Sequence, residues 1–160
     1  ITLEKENHWF EFKKYFFGLN LLGSFLPLLV AYNVYSSGNG QWFWLTVIVF
    51  YLGIALIDLI VGKDEINTTS QQDSELKHHR FYNALLLISV PLYWAAFIAT
   101  CYIALTVDLP WYHIVGALIG LGCMFAGTFC VSHELGHRKS NLLRWGAKAS
   151  IAIFGYCQPS

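Results

Sequence analysis

The sequence predicts an all-α, polytopic membrane protein. It is a bundle of four transmembrane helices followed by a C-terminal amphipathic or re-entrant segment, in one membrane domain over residues 1–160. Three observations carry that expectation. Of the 160 residues, 56% are hydrophobic and only 12% are Asp, Glu, Lys or Arg, about half the charged share of soluble domains. Four stretches stay apolar over the roughly 20 residues that a helix needs to cross a hydrocarbon core. All ten Lys and Arg fall outside those stretches, in alternate flanks.

The first span runs over about 16–35 and contains Pro27, which a membrane helix tolerates because its neighbours can satisfy the freed carbonyl. The uncharged turn Ser36-Ser37-Gly38-Asn39-Gly40 leads to the second span, 42–61. A polar loop, 62–80, separates it from the third span, 81–107, which carries Pro91. Asp108-Leu109-Pro110 forms a second short turn before the fourth span, 113–132. The basic residues are Lys5, Lys13 and Lys14; Lys63, Lys77 and Arg80; and Arg138, Lys139, Arg144 and Lys148. The positive-inside rule therefore puts the N-terminus, the 62–80 loop and the residues after 132 in the cytoplasm. Trp42, Trp44, Trp111 and Tyr112 form an outer aromatic belt, and Trp9, Phe10, Phe12 and Tyr15 an inner one. From 138 to 156 the chain reads as an interfacial segment, with Arg144 and Lys148 one turn apart on a polar face.

The formal net charge is zero, which removes the electrostatic reason to expect a nucleic-acid partner. Cys101, Cys123, Cys130 and Cys157 lie in apolar stretches without C-x-x-C spacing, and read as small buried hydrophobes in a reducing compartment. The chain opens Ile1-Thr2-Leu3 with no signal-peptide pattern and closes within an apolar stretch, so it reads as part of a longer polypeptide.

The chemistry concentrates in His133-Glu134-Leu135-Gly136-His137, directly after the fourth span. Residues i and i+4 share a helix face, so both imidazoles can reach one metal ion. Glu134 lies about 100° around the helix from His133 and reads as a supporting partner of the ligands rather than a ligand. Asp58, near the inner end of the second span, is a second candidate to support a metal-bound histidine through a hydrogen bond. His78 and His79 read as a solvated pair beside Arg80, and His8 and His113 as surface or interfacial residues. H-E-x-x-H suits two machines. One is an intramembrane zinc metalloprotease, in which the glutamate activates water. The other is a membrane diiron oxygenase, in which histidine pairs from several helices cage two irons. A non-enzymatic helix end capped by histidines is the third reading.

Read onward, the histidine motif is followed by Arg138-Lys139, Arg144-Trp145-x-Ala147-Lys148 and Gly155-Tyr156. Upstream stand Leu56-Ile57-Asp58 with Gly62-x-Asp64 and Asn67, then Arg80-Phe81-Tyr82 and Val90-Pro91. In order and spacing, over about residues 40–156, these resemble the region around the first histidine box of alkane 1-monooxygenases. The related aromatic-methyl monooxygenases and, more distantly, membrane fatty acid desaturases are similar too. The first 40 residues match in hydropathy alone.

The resemblance implies a non-haem diiron hydroxylase of the bacterial inner (cytoplasmic) membrane. It would insert one atom of O₂ into the terminal C–H bond of an alkane or other lipophilic substrate. Two iron ions would be its cofactors, with electrons from a rubredoxin and its reductase, and His133 and His137 would be metal ligands. Two further histidine boxes are expected beyond Tyr156, where this chain has Cys157-Gln158-Pro159-Ser160. The iron site is therefore expected to be incomplete, and the polypeptide inactive on its own. A linear substrate needs a narrow dry channel. Phe50 lies about 12 Å outward of Asp58, and Gly127 about 9 Å outward of His133. If the second and fourth spans face each other, the ring opposite the glycine would limit how deep a chain enters.

Overall fold

The computed structural model describes residues 18–61 and 79–155, with the backbone alone at Leu19, Asn20, Leu22, Asp58 and Val61. Every regular element among the described residues is helical. Helix α1 is Leu19–Ser37, α2 Trp42–Ile48, α3 Ile54–Val61, α4 Arg80–Thr106, α5 Trp111–Gly136 and α6 Asn141–Ala152. A π-helical turn, Val49–Gly53, joins α2 to α3, so that one rod runs unbroken over 42–61. Residues 1–17, 62–78 and 156–160, with His8, Asp64, Asn67, His78, Cys157 and the inner aromatic belt, lie outside the described residues.

Helices thus occupy all four expected spans. Helices α4 and α5, of 27 and 26 residues, are long and apolar enough to cross a membrane, at roughly 40 Å each. Helix α5 runs four residues past the expected end at 132, with His133 in its last turn and His137 capping its end. Gly38 closes α1 in the left-handed conformation (φ 68°), with its N–H donating to the Val34 carbonyl at 2.8 Å, and so lets the chain reverse at once into α2.

Buried residues on α4 recur every three or four positions, at Tyr82, Leu86, Val90, Tyr93 and Ala96. They meet Leu121, Met124, Val131 and Leu135 of α5 in a core toward the histidine end. A second core at the opposite end joins Val30 and Val34 of α1, Phe43 of α2, Ile103 of α4 and Ala117 of α5. Small residues bring α2 against α5. A Cβ on Gly116 would sit 2.9 Å from the Trp44 indole, and one on Gly120 would sit 3.2 Å from Thr46 Cβ. Two buried hydroxyls bond within their own helices. Ser89 Oγ donates to Leu86 O at 2.7 Å, and Thr128 Oγ1 to Met124 O at 3.2 Å, which removes the cost of an unpaired polar group at that depth.

The outer surface is apolar. Leu59, Ile60 and Leu105 are each at least 80% exposed, a surface that suits lipid and that soluble monomers rarely present so continuously. Two expectations change. His113 is buried, its ring packed against the Gly40 backbone and Tyr112, because α2 and the start of α5 close over it. The described cysteines are not core residues: Cys101 and Cys123 are half-buried, and Cys130 is exposed on the apolar surface. The C-terminal segment, expected to be amphipathic or re-entrant, forms α6, which packs against the bundle. Its Gly146 meets Leu87 and Leu135, Ser132 Oγ donates to Ala147 O at 3.0 Å, and Phe154 meets Phe125 edge-on with ring centroids 4.5 Å apart. These pairs run in opposite sequence order along the two helices, so α6 climbs back antiparallel beside α5.

Candidate metal-binding motif at the end of α5

The last two turns of α5 sort their side chains by face. Val131 and Leu135 point into the core, at 2% and 0% exposure, and fix the rotation of the helix. His133 and His137, two positions on from each, are thereby exposed on the other side. Gly136 is the last helical residue, and Arg138 N–H donates to Leu135 O at 3.1 Å as the chain turns away.

The two imidazoles stand nearly perpendicular (83°) with ring centroids 4.7 Å apart and Nε2 atoms 3.2 Å apart. At that separation one neutral ring can donate its proton to the other. It is also the spacing that two nitrogens adopt when both sit about 2.1 Å from a single ion. The partial negative charge of a helix C-terminus favours a cation there. The donor pair therefore fits one metal ion. Among the described residues no third His, Cys, Asp or Glu joins it.

Glu134 faces another partner. Its Oε1 accepts from Arg138 Nη2 at 2.8 Å. The Arg138 side chain is 3% exposed, rare for arginine, and its guanidinium carbon lies 5.4 Å from the centre of the Tyr82 ring on α4. The residue after the second histidine thus staples the end of α5 to the start of α4. The strength of this staple was not read from the sequence. Its signal was there in the i,i+4 spacing of Glu134 and Arg138.

The remaining candidates are dispersed. Asp58 falls within α3, and its side chain lies outside the described residues. His79 precedes α4 with its ring edge-on to Phe81 at 6.4 Å, and does not join the α5 pair. Phe50 and Gly127 each have a near neighbour on a further helix. The Phe50 ring, in the π-helical turn, lies against Gly23 of α1, 3.8 Å from where a Cβ would stand. The space beside Gly127 is taken by Tyr93 of α4, whose Oη lies 3.1 Å from a Cβ built there.

Among the described residues the chain is an all-helical bundle with an apolar surface, two helices of membrane-spanning length and a histidine pair at a helix end, the architecture of a membrane-type protein. No family model matches it. Its sequence is similar to curated alkane 1-monooxygenases. It is 29% identical over 155 residues to the proteins of that name from Pseudomonas putida and Ectopseudomonas oleovorans. Each match covers 97% of this chain and 39% of the relative. The alkane 1-monooxygenase 1 of Alcanivorax borkumensis is 29% identical over 144 residues. The chain is therefore alkane 1-monooxygenase-like over nearly its whole length, reaching well into the first 40 residues, where hydropathy alone had matched. It spans about two-fifths of the length of these relatives. The zinc-protease reading has no support from these relatives, and the carboxylate it would need as a base is held by Arg138.

Proposed function

We propose that this chain is part of a membrane monooxygenase that hydroxylates the terminal carbon of alkanes. The observation that carries the reading is a 29% identity that runs the length of the chain and through the histidine motif. One atom of O₂ enters the C–H bond; the other leaves as water, with two electrons from a rubredoxin and two protons. The cofactor would be a pair of non-haem irons, which supply the activation of O₂. His133 and His137 hold one of these ions, because their Nε2 separation of 3.2 Å suits a shared ion. Further donors come from outside the described residues. Asp58 supports a ligand histidine through a hydrogen bond.

The apolar helices hold a lipophilic substrate and keep water from the reacting carbon. Helix α1 and the 42–61 rod cross the bilayer with α4 and α5, giving four crossings in one membrane domain. The basic flanks put the histidine end on the cytoplasmic side of the bacterial inner membrane, where rubredoxin and its reductase reach it.

The test is made on membranes containing the longer protein of which this chain is part, with reduced rubredoxin, an n-alkane and ¹⁸O₂. Labelled 1-alkanol is expected, and its loss in His133→Ala. Unlabelled product, or equal product from His133→Ala, overturns the reading.

A further inference from the structure

We infer that Arg138 keeps Glu134 out of the coordination sphere of the metal bound by His133 and His137, and so fixes that sphere as imidazole on this helix. This rests on the metal-binding reading above. Glu134 lies about 100° around α5 from His133, and Arg138, two residues past the last helical residue Gly136, turns back to meet it. The Glu134 side-chain rotamer would decide whether its carboxylate meets the guanidinium or a metal ion held by the two histidines. In the structure it meets Arg138, at 2.8 Å.

Arg138 is built to hold it. Its side chain is buried, its guanidinium rests on the Tyr82 ring, and its backbone N–H is tied to Leu135. A buried guanidinium needs a carboxylate, since an unpaired charge there is strongly unfavourable. Nε and Nη1 have no hydrogen-bond partner among the described residues, so Glu134 is the one anion that the described chain offers it. Releasing Glu134 would leave that charge uncompensated, and a metal ion on the histidines must compete with it for the carboxylate. Arg138 is thus a positioning residue, acting through Glu134. Lysine at 138 would keep the charge but lose the flat stacking on Tyr82.

The experiment is a Co²⁺ titration of the full chain in detergent, followed by visible absorption, for the wild type, Glu134→Gln, Arg138→Met and the double variant. Glu134→Gln alone is expected to leave the Co²⁺ bands unchanged. Arg138→Met is expected to shift them, as a carboxylate oxygen joins the two nitrogens, and to tighten binding by roughly tenfold. The double variant is expected to return both to wild-type values, which damage to the fold would not do.

A band shift in Glu134→Gln alone overturns the inference, and needs no folded Arg138 variant. So does an Arg138→Met spectrum identical to wild type, or one that the double variant fails to restore. Co²⁺ binding by none of the four proteins overturns the metal-binding reading and this inference together. Binding by wild type with any of the other adverse results overturns this inference alone.

Discussion

Tyr93 of α4 places its hydroxyl where a side chain on Gly127 of α5 would begin, 3.1 Å from the Cβ position. The tyrosine is 2% exposed and hydrogen-bonded to Ser24 of α1, so three helices meet at this point. A methyl at 127 has to push the phenol end aside by a few tenths of an ångström; a larger group has no room. Gly127→Val is expected to destabilise the chain by about 1–3 kcal/mol, read as a lowered midpoint of thermal unfolding in detergent. Tyr93→Phe removes the atom in the way and is expected to recover part of that loss.

The same geometry separates two double-mutant cycles. Phe50 packs on Gly23, away from Gly127, so Phe50→Ala and Gly127→Ala are expected to be additive within about 0.5 kcal/mol. Tyr93→Phe and Gly127→Ala share a contact and should couple by more. A Phe50–Gly127 coupling as large as the Tyr93–Gly127 one would contradict the packing described for both residues.

The helices and the histidine pair were legible because each depends on local pattern. Apolar run length set the spans, and i,i+4 spacing set His133 beside His137. What the sequence hid depends on a third element. Nothing local to Phe50 or Gly127 says that the first meets Gly23 of α1 and the second Tyr93 of α4. His113 read as interfacial because its neighbours Trp111 and Tyr112 are; its burial comes from the tight turn at Gly40. For α6 the polar pair Arg144 and Lys148 marked an exposed face. The opposite face, Gly146, Ala147 and Ser150, carried the docking signal in its small residues, which let helices approach closely.

Helix α6 is held by two donors from different helices, Ser132 Oγ to Ala147 O at 3.0 Å and Trp94 Nε1 to Ala149 O at 2.8 Å. Ala147 O also accepts from Ser150 at 2.7 Å, so losing Ser132 leaves it satisfied. Ala149 O loses its side-chain donor when Trp94 changes. Ser132→Ala is therefore expected to cost less than about 1 kcal/mol, and Trp94→Phe more, through both packing and the bond. Hydrogen exchange of residues 141–152 checks this: Trp94→Phe should speed it clearly and Ser132→Ala slightly.

Gly116 and Gly120 form a small-xxx-small face against α2, and their neighbours differ in how far they can yield. A Cβ on Gly116 meets the Trp44 indole at 2.9 Å, a rigid ring system. One on Gly120 meets Thr46 at 3.2 and 3.3 Å, with the Phe43 carbonyl at 3.8 Å behind it. Gly116→Ala should thus be the more damaging methyl, lowering the unfolding midpoint more than Gly120→Ala. Equal midpoints would mean that Trp44 can swing away.

The 3.2 Å between the Nε2 atoms of His133 and His137 makes a specific claim about how the pair binds. Two donors on one ion act as a chelate: once the first has bound, the second binds intramolecularly at high effective concentration. Removing either should therefore lose most of the affinity, on the order of a hundredfold in the Co²⁺ dissociation constant. Removing the second should add little. His133→Ala, His137→Ala and the double variant are expected to bind Co²⁺ about equally poorly. If each histidine served a different ion, the single variants would each keep about half the bound Co²⁺ at unchanged affinity, and the double variant alone would lose it all. Stoichiometry and affinity from one titration series distinguish these two patterns.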